Sequence, residues 1–211
     1  MKPYITIILI LTMRTAAYAQ ELEVQTDIVN QNIWRGTYVA GASIQPSIIA
    51  TKGYLALTIW SSTALHEDEY EVDAILSYSF SNFCIGITDY WSDAVKARYG
   101  KGHLLEFNAE YNFAHIPLIL SWNTSLDNWC SSYAEINYCK QISDMEVGFS
   151  AGLTPWKNKM LETNSFSLTK LAVCVSKELK AKNISIKPSC TLVYNSVSDQ
   201  IFVLAGVGFL F

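Results

Sequence analysis

The chain has 211 residues, of which 50% are hydrophobic and only 16% are charged, and its formal net charge at pH 7 is −4. An ordinary soluble domain is about a quarter charged, so the composition favours a membrane protein, and the acidic balance argues against nucleic acid as a partner. No stretch reaches the roughly 20 apolar residues that a membrane helix needs. An apolar chain without such a run can cross a bilayer only as a closed barrel, because every backbone polar group must be paired.

The N-terminus has the pattern of a secretory signal. Lys2 precedes an apolar run over residues 4–11, and Ala17-Tyr18-Ala19 is typical of a signal-peptidase site. We therefore predict a signal peptide over residues 1–19 and a mature domain over residues 20–211. The alternative is an uncleaved membrane anchor, which the shortness of the run disfavours.

The mature chain alternates between apolar and polar residues at every second position. Between residues 104 and 113, Phe107 and Tyr111 lie on an apolar face, and Glu106 and Glu110 lie on a polar one. In a membrane barrel the apolar face contacts lipid and the polar face lines the lumen. This period predicts about twelve strands, an even number as bacterial barrels require, over residues 22–34, 42–50, 54–62, 69–80, 83–91, 103–113, 116–124, 131–142, 145–154, 165–177, 183–194 and 199–211.

The predicted joints between strands alternate in length. The short ones are expected at 51–53, 81–82, 114–115 and 143–144, and the longest at 92–102 and 155–164; the joints at 178–182 and 195–198 fit less cleanly. Short turns at one end and longer loops at the other are typical of outer-membrane barrels. Six tryptophans near the strand ends of the longer-loop side are interpreted as interfacial anchors, with core tryptophans as the alternative: Trp34, Trp60, Trp91, Trp122, Trp129 and Trp156.

The polar strand faces supply the candidate site. Carboxylates that line one lumen favour cations over anions, whereas the alternative is that the charges pair and fill the barrel. At the end of the first strand, Arg35 is the candidate for the pore entrance; it is expected to neutralise a lumen carboxylate, guard the entrance, or stack on an aromatic ring. The predicted lumen residues are Glu71, Asp73, Glu106, Asn108, Glu110, Asn112, Glu135, Asn137, Lys170 and Lys187.

Patterns for chemistry are weak. Residues 148–152 match the G-x-S-x-G pattern of serine hydrolases, but that motif needs a strand, a turn and a helix, and here it falls within an alternating strand. No spacing indicates a metal site or a cofactor, and we predict no catalytic residue. The five cysteines are interpreted as small wall residues, with a disulfide as the alternative; they are Cys84, Cys130, Cys139, Cys174 and Cys190.

A family resemblance covers nearly the whole mature chain. Residues 27–36, with Trp34-Arg35-Gly36 at their end, and Ala42-Ser43-Ile44-Gln45-Pro46-Ser47 resemble the opening of the TorF-like family of outer-membrane porins, especially members from Bacteroides-type bacteria. Further similar segments follow in order at residues 71–79, 88–91, 120–124, 155–156, 176–178 and the closing strand. The resemblance implies an outer-membrane barrel of pore type, with no substrate and no catalytic residues to carry over. The loop at 92–102 is shorter than expected for the family.

The sequence thus predicts an all-β fold, a single transmembrane up-and-down antiparallel barrel. The expected function is a passive pore for small hydrophilic solutes with a weak cation preference, and not an enzyme. The alternatives are a plugged structural or surface-binding barrel, an outer-membrane lipid hydrolase, and a soluble β-sandwich. Expected partners are outer-membrane lipid, solutes or ions, and the barrel-assembly machinery, which is expected to read the C-terminal aromatic Phe211; no cofactor is expected. The expected location is the outer membrane of a Gram-negative bacterium of the Bacteroidetes.

Overall fold

A computed structural model describes residues 21–92, 102–126 and 131–211. The predicted signal peptide, Trp129 and Cys130 lie outside the described residues. The described strands are β1 (Glu21–Val29), β2 (Asn32–Trp34), β3 (Thr37–Ala40), β4 (Ser43–Lys52), β5 (Leu55–Ala64), β6 (Tyr70–Phe80), β7 (Phe83–Ser92), β8 (Leu104–Asn112), β9 (Leu118–Ser125), β10 (Ser132–Ile142), β11 (Met145–Thr154), β12 (Ser167–Ser176), β13 (Leu179–Ala181), β14 (Ile184–Asn195) and β15 (Gln200–Leu210).

Twelve of these strands form a closed antiparallel barrel. Each pairs with its neighbours in the order β12, β11, β10, β9, β8, β7, β6, β5, β4, β1, β15, β14, and a pairing between β12 and β14 closes the ring. Closure leaves no free sheet edge, which is what a strand protein needs in lipid. The prediction of a single twelve-stranded transmembrane barrel is confirmed.

The first strand is shorter than the predicted range 22–34. β1 ends at Val29 because the Asn30 side chain takes over the backbone partners: its Nδ2 donates to the Val203 carbonyl at 3.0 Å, and its Oδ1 accepts from the Ala205 N–H at 2.8 Å. Residues 32–40 then form a separate hairpin of β2 and β3. The sequence-based prediction was therefore wrong about residues 30–34, which leave the barrel wall.

The joint expected at 178–182 is also different. After a break at residues 177–178, β13 continues to pair with the same neighbour as β12, and the chain turns at residues 182–183, where Lys182 has a φ of 56°. The five joints at one end of the barrel are then 53–54, 81–82, 113–117, 143–144 and 182–183. Among the described joints, 65–69, 155–166, 196–199 and the β2–β3 hairpin lie at the other end. The predicted sorting of loops therefore holds, except that the joint at 196–199 is short.

The outer surface of the barrel is apolar. Side chains such as Leu76, Phe149 and Ile201 are half or more exposed at alternate positions of their strands, as a lipid-facing belt requires. Near the short-turn end, six outward rings contact one another in sequence: Tyr54, Tyr78, Phe80, Phe83, Tyr111 and Phe113. Such a row is typical of the aromatic girdle at a membrane–water interface.

The tryptophans divide between the two faces. Trp91 and Trp122 point outward near the long-loop end, where Trp91 packs on Tyr70 and Trp122 packs on Trp156. The interpretation of Trp34 and Trp60 as interfacial anchors was wrong. Trp34 belongs to the hairpin, and Trp60 shares the inward face of β5 with the buried Ser62. No helix among the described residues is long and apolar enough to cross a membrane.

Candidate functional site in the barrel lumen

The β2–β3 hairpin folds into the lumen. Its two-residue turn, Arg35-Gly36, has positive φ at both residues, 51° and 87°, as a tight hairpin turn demands. The tip packs against the far wall: a Cβ on Gly36 would lie 2.2 Å from the Thr169 carbonyl oxygen, and Asn195 Nδ2 donates to the Gly36 carbonyl at 2.9 Å. The hairpin therefore turns inward after β1, and its tip packs against β12 and β14, which lie three and two strands from β1 around the ring.

Arg35 is held on three sides. Its Nη1 and Nη2 donate to the two carboxylate oxygens of Glu106 at 2.8 and 2.7 Å, and the side chains are 10% and 1% exposed. The guanidinium carbon lies 4.3 Å from the Trp34 ring centroid and 4.6 Å from that of Tyr133. The side chain thus both neutralises a lumen carboxylate and stacks on aromatic rings, but from the hairpin tip inside the barrel rather than from the end of the first strand.

Glu106 is the centre of a polar network on the lumen wall. Besides Arg35, it accepts from the Tyr90 hydroxyl at 2.8 Å and from Asn108 Nδ2 at 3.0 Å. Asn108 Oδ1 in turn accepts from the Thr88 hydroxyl at 2.7 Å. Since a buried carboxylate needs several donors to replace water, this network fixes where the hairpin docks.

A second ion pair continues across the lumen from the hairpin. The Tyr133 hydroxyl donates to Glu135 Oε2, and Lys170 Nζ donates to both Glu135 oxygens at 2.9 and 3.1 Å. Gly152 leaves the space for this arrangement, because a Cβ there would lie 1.9 Å from the Tyr133 hydroxyl. A chain of polar contacts therefore runs from β8 through the hairpin to β10 and β12.

A chamber lies at the short-turn end of the lumen. This cavity of about 580 Å³ is lined by polar residues that include Gln25, Asp27 and Glu146, and also by Phe209 and Leu210. Lys187 Nζ donates to Glu146 Oε1 at 2.8 Å. The hairpin, which occupies the lumen above this chamber, is the constriction.

Negative charge exceeds positive charge on the inner wall. Three cations that face the lumen, Arg35, Lys170 and Lys187, each pair with one carboxylate. Other inward carboxylates have no cation within salt-bridge distance among the residues that the structure describes; they include Asp27, Glu71, Asp73 and Glu110. This excess gives the described lumen a net negative potential.

The structure places all ten predicted lumen residues on inward positions of their strands. It brings Glu106 and Asn108 together with Arg35, and Glu135 together with Lys170. Three of the predicted residues lie apart from these two groups, nearer the short-turn end. They are Lys187 and the pair Glu110 and Asn112, which a 3.1 Å hydrogen bond joins. Asn137 lines a side recess of about 310 Å³ beside Lys170.

Sequence reasoning missed Tyr90, Tyr133 and Glu146. Tyr90 and Tyr133 were available from strand parity, since each lies two residues from a predicted or buried inward residue. Glu146 was not included among the polar positions of its strand. It lies two residues before the inward-facing Gly148, and its side chain therefore also points inward. The fold of the hairpin had no local signal other than Arg35-Gly36 itself.

The remaining patterns fall on the barrel wall. Ser150 of the G-x-S-x-G match lies inside β11, without the turn and helix that a nucleophile elbow needs, and it contacts no histidine among the described residues. Cys84, Cys139, Cys174 and Cys190 are free. The described residues contain no group of three or more side chains suited to a metal ion.

Comparison with known proteins supports the fold. No family model matches the chain. No curated protein matches it either. Among solved structures, the KdgM porin superposes with a TM-score of 0.56 at 12% identity, over 90% of this chain and 98% of that chain. This similarity shows a shared fold, a closed antiparallel β-barrel. Weaker superpositions are found with Omp33 of Acinetobacter baumannii (0.48, 9%, 90% and 97%) and with the CymD monoaromatic hydrocarbon channel (0.43, 9%, 95% and 91%).

Proposed function

We propose that this protein is a narrow passive pore of the bacterial outer membrane, for small hydrophilic solutes, with a preference for cations. The observation that carries the proposal is the polar lumen, in which Asp27, Glu71, Asp73 and Glu110 have no cationic partner among the described residues. A barrel that acts only as a structural body needs no unpaired carboxylates, because small barrels are filled by packed side chains. Unpaired charge in a lumen needs water or ions beside it, and an open, water-filled lumen supplies both.

The hairpin gives this passage its selectivity element. Arg35 places one positive charge at the constriction, between the acidic β6–β8 wall and the Glu135–Lys170 pair on the opposite side. A solute that passes here crosses a field directed from one wall to the other, which favours small polar molecules over apolar ones of the same size.

Finer parts of the proposal concern origin and delivery. We infer a member of the TorF-like family because residues 27–36 carry its opening and the other segments follow in order. We also infer that residues 1–19 are removed on export, and that the closing strand ending in Phe211 is read by the barrel-assembly machinery. Deletion of Phe211 should therefore lower the yield of folded barrel, because the assembly machinery loses its recognition residue. Export across the inner membrane should be unchanged.

A second candidate function follows from the depth of the hairpin contact. Glu106 is fully buried, and a chain of polar contacts ties the hairpin to β8, β10 and β12. If the hairpin seals the barrel, the protein is a structural or surface-binding barrel whose long loops contact a ligand. The two functions differ in one observable, because a sealed barrel passes no current.

The test is single-channel conductance of the purified mature protein in a planar bilayer, with a salt gradient. A heat-modifiable band on an unboiled gel establishes beforehand that the barrel is folded. Discrete steps with a cation-selective reversal potential are expected. Current with anion preference would contradict the role of the carboxylates, and silence from folded protein would leave the surface-binding barrel.

A matched pair of variants locates the selectivity. Glu110→Gln removes an inward charge, whereas Asp89→Asn removes a charge on the outward face of β7, where Asp89 contacts His103 at 3.0 Å. We expect the first variant to move the reversal potential toward zero and the second to leave it unchanged. Equal shifts in both variants would show that the selectivity comes from the overall charge of the protein.

A further inference from the structure

We propose that Ser47, Trp60 and Asp73 form a binding site for a weakly hydrated monovalent cation, either K⁺ or the ammonium group of an amine. The site lies on the inner wall across β4, β5 and β6. This inference rests on the pore proposed above only as the route by which the cation arrives, and it names a class of solute that the lumen recognises.

The three residues lie side by side in one row. Ser47 pairs in register with Trp60, and Trp60 pairs with Asp73. Strand neighbours on one face have Cβ atoms about 4.5–5.5 Å apart, so the indole of Trp60 stands between a hydroxyl and a carboxylate. The next residue in the row is Tyr90 on β7, whose ring lies 6.0 Å from Trp34 of the hairpin. The row therefore runs beside the constriction.

Both oxygens that flank Trp60 are buried and lack a partner. Ser47 is 3% exposed and Asp73 is 7% exposed. Ser47 Oγ and Asp73 Oδ1 have no hydrogen-bond partner among the described residues. Buried polar groups are nearly always satisfied, and a buried carboxylate without a partner is costly. Two such atoms on either side of one aromatic ring indicate that a ligand completes the site.

A monovalent cation satisfies all three groups at once. It forms an ion pair with Asp73, accepts a lone pair or donates a hydrogen bond to the Ser47 hydroxyl, and lies on the face of Trp60, the best aromatic partner of a cation. Glu71, two residues along the same face of β6, adds negative potential and has no cationic partner among the described residues. Divalent ions fit poorly, because Mg²⁺ keeps its waters and Ca²⁺ is held by several carboxylate and carbonyl oxygens, whereas one side of this site is an aromatic ring.

The test uses binding-induced stabilisation and needs no current. The folded protein in detergent is heated in increasing methylammonium chloride or KCl, with LiCl keeping the ionic strength constant, and the midpoint for loss of the compact gel band is measured. A ligand that binds only the folded state raises the midpoint in a saturable way. A larger shift with methylammonium identifies an amine as the source of the cation, and a larger shift with K⁺ identifies the inorganic ion.

Variants of the three residues should weaken the apparent affinity for the cation by different factors. Asp73→Asn should weaken the apparent affinity by about 30-fold or more, because the charge partner is lost. Trp60→Leu should weaken it by about three- to thirtyfold, and Trp60→Phe by less, since an aromatic face remains. Asp199→Asn, which removes an exposed carboxylate in the β14–β15 turn away from the row, should bind like the wild type. Ser47→Ala provides a second test of the row should Asp73→Asn fail to fold.

The outcomes separate the site from the pore. A wild-type protein with no saturable shift, or a shift that persists undiminished in Asp73→Asn, overturns the site. A thermal shift without current would support the cation site and overturn the proposed pore. Current without the thermal shift would overturn the proposed cation site and leave the proposed pore standing.

Discussion

Replacement of Arg35 by methionine should release the hairpin from the lumen. The change keeps an unbranched side chain of similar reach but removes both hydrogen bonds to Glu106, at 2.8 and 2.7 Å. It also removes the cation that lies 4.3 Å from the Trp34 ring centroid and 4.6 Å from that of Tyr133. Glu106 is left buried without its charge partner.

The magnitude follows from burial. Removing one partner of a buried ion pair costs about 3–5 kcal/mol, because the remaining charge is uncompensated. The barrel need not unfold to relieve this cost, since withdrawal of the hairpin exposes Glu106 to water and leaves the strand ladders intact. The ratio of seated to withdrawn hairpin should therefore fall by a factor of about 150 to 5000. Loss of the stacking contacts adds to the effect.

The assay is single-channel recording, alongside the thermal midpoint of the folded band. Arg35→Met should show a larger unitary conductance or frequent transitions to a larger open level, with little change in the midpoint. The double variant Arg35→Met, Glu106→Leu removes both charges and should return toward the wild type, because an apolar pair leaves no buried charge. Lys177→Met is the control: it removes a cation from an exposed pair with Asp144, and exposed ion pairs contribute little to stability.

The reasoning would be refuted by Arg35→Met channels with wild-type conductance and wild-type fluctuations. A drop in the thermal midpoint without any change in current would mean that the hairpin is part of the barrel's stability and not its constriction.

Three further predictions test separate contacts. Gly36→Ala should reproduce the larger conductance of the released hairpin, because its Cβ would lie 2.2 Å from a carbonyl oxygen of β12 and its φ is 87°. In single-cysteine proteins, a charged water-soluble thiol reagent should modify Cys139, which faces the chamber end of the lumen, and spare Cys190, which faces lipid, whereas a membrane-permeant maleimide should label both. The hydrogen bond from Lys177 holds the pKa of Asp144 below its usual value. Its contribution to stability is therefore present above the unfolded-state pKa, about 3.9, and is lost as the pH falls through the lower folded-state value, so the effect of Asp144→Asn on the thermal midpoint should vanish in strong acid.

Each has its own contradicting result. A Gly36→Ala protein that conducts like the wild type would place the tip away from the β12 wall. Equal labelling of both cysteines by the charged reagent would contradict the assigned faces. A constant effect of Asp144→Asn from neutral to strongly acidic pH would mean that its ionised form has no role in stability.

Much of the barrel is a local property of the sequence. Side chains in a strand alternate with a period of two, so the apolar series of Phe107 and Tyr111 and the polar series of Glu106 and Glu110 already assign lipid and lumen faces. Short joints such as 143–144 leave little choice but a hairpin, and twelve such strands predict closure. For this reason the strand number and the inward parity of the ten lumen residues were accessible without coordinates.

The hairpin and the site inside the barrel were decided by tertiary structure. The wall ends after Val29, where the Asn30 side chain bonds to the Val203 carbonyl and the Ala205 N–H of β15, and the residues that follow turn into the barrel. The partner of Arg35 lies 71 residues away on β8, a separation that no periodicity encodes. Which inward carboxylates are neutralised depends on where one loop docks across a closed barrel. That docking is set by burial and charge pairing in three dimensions, whereas the wall is set by local alternation, and this difference divides what the sequence determines from what it leaves to the fold.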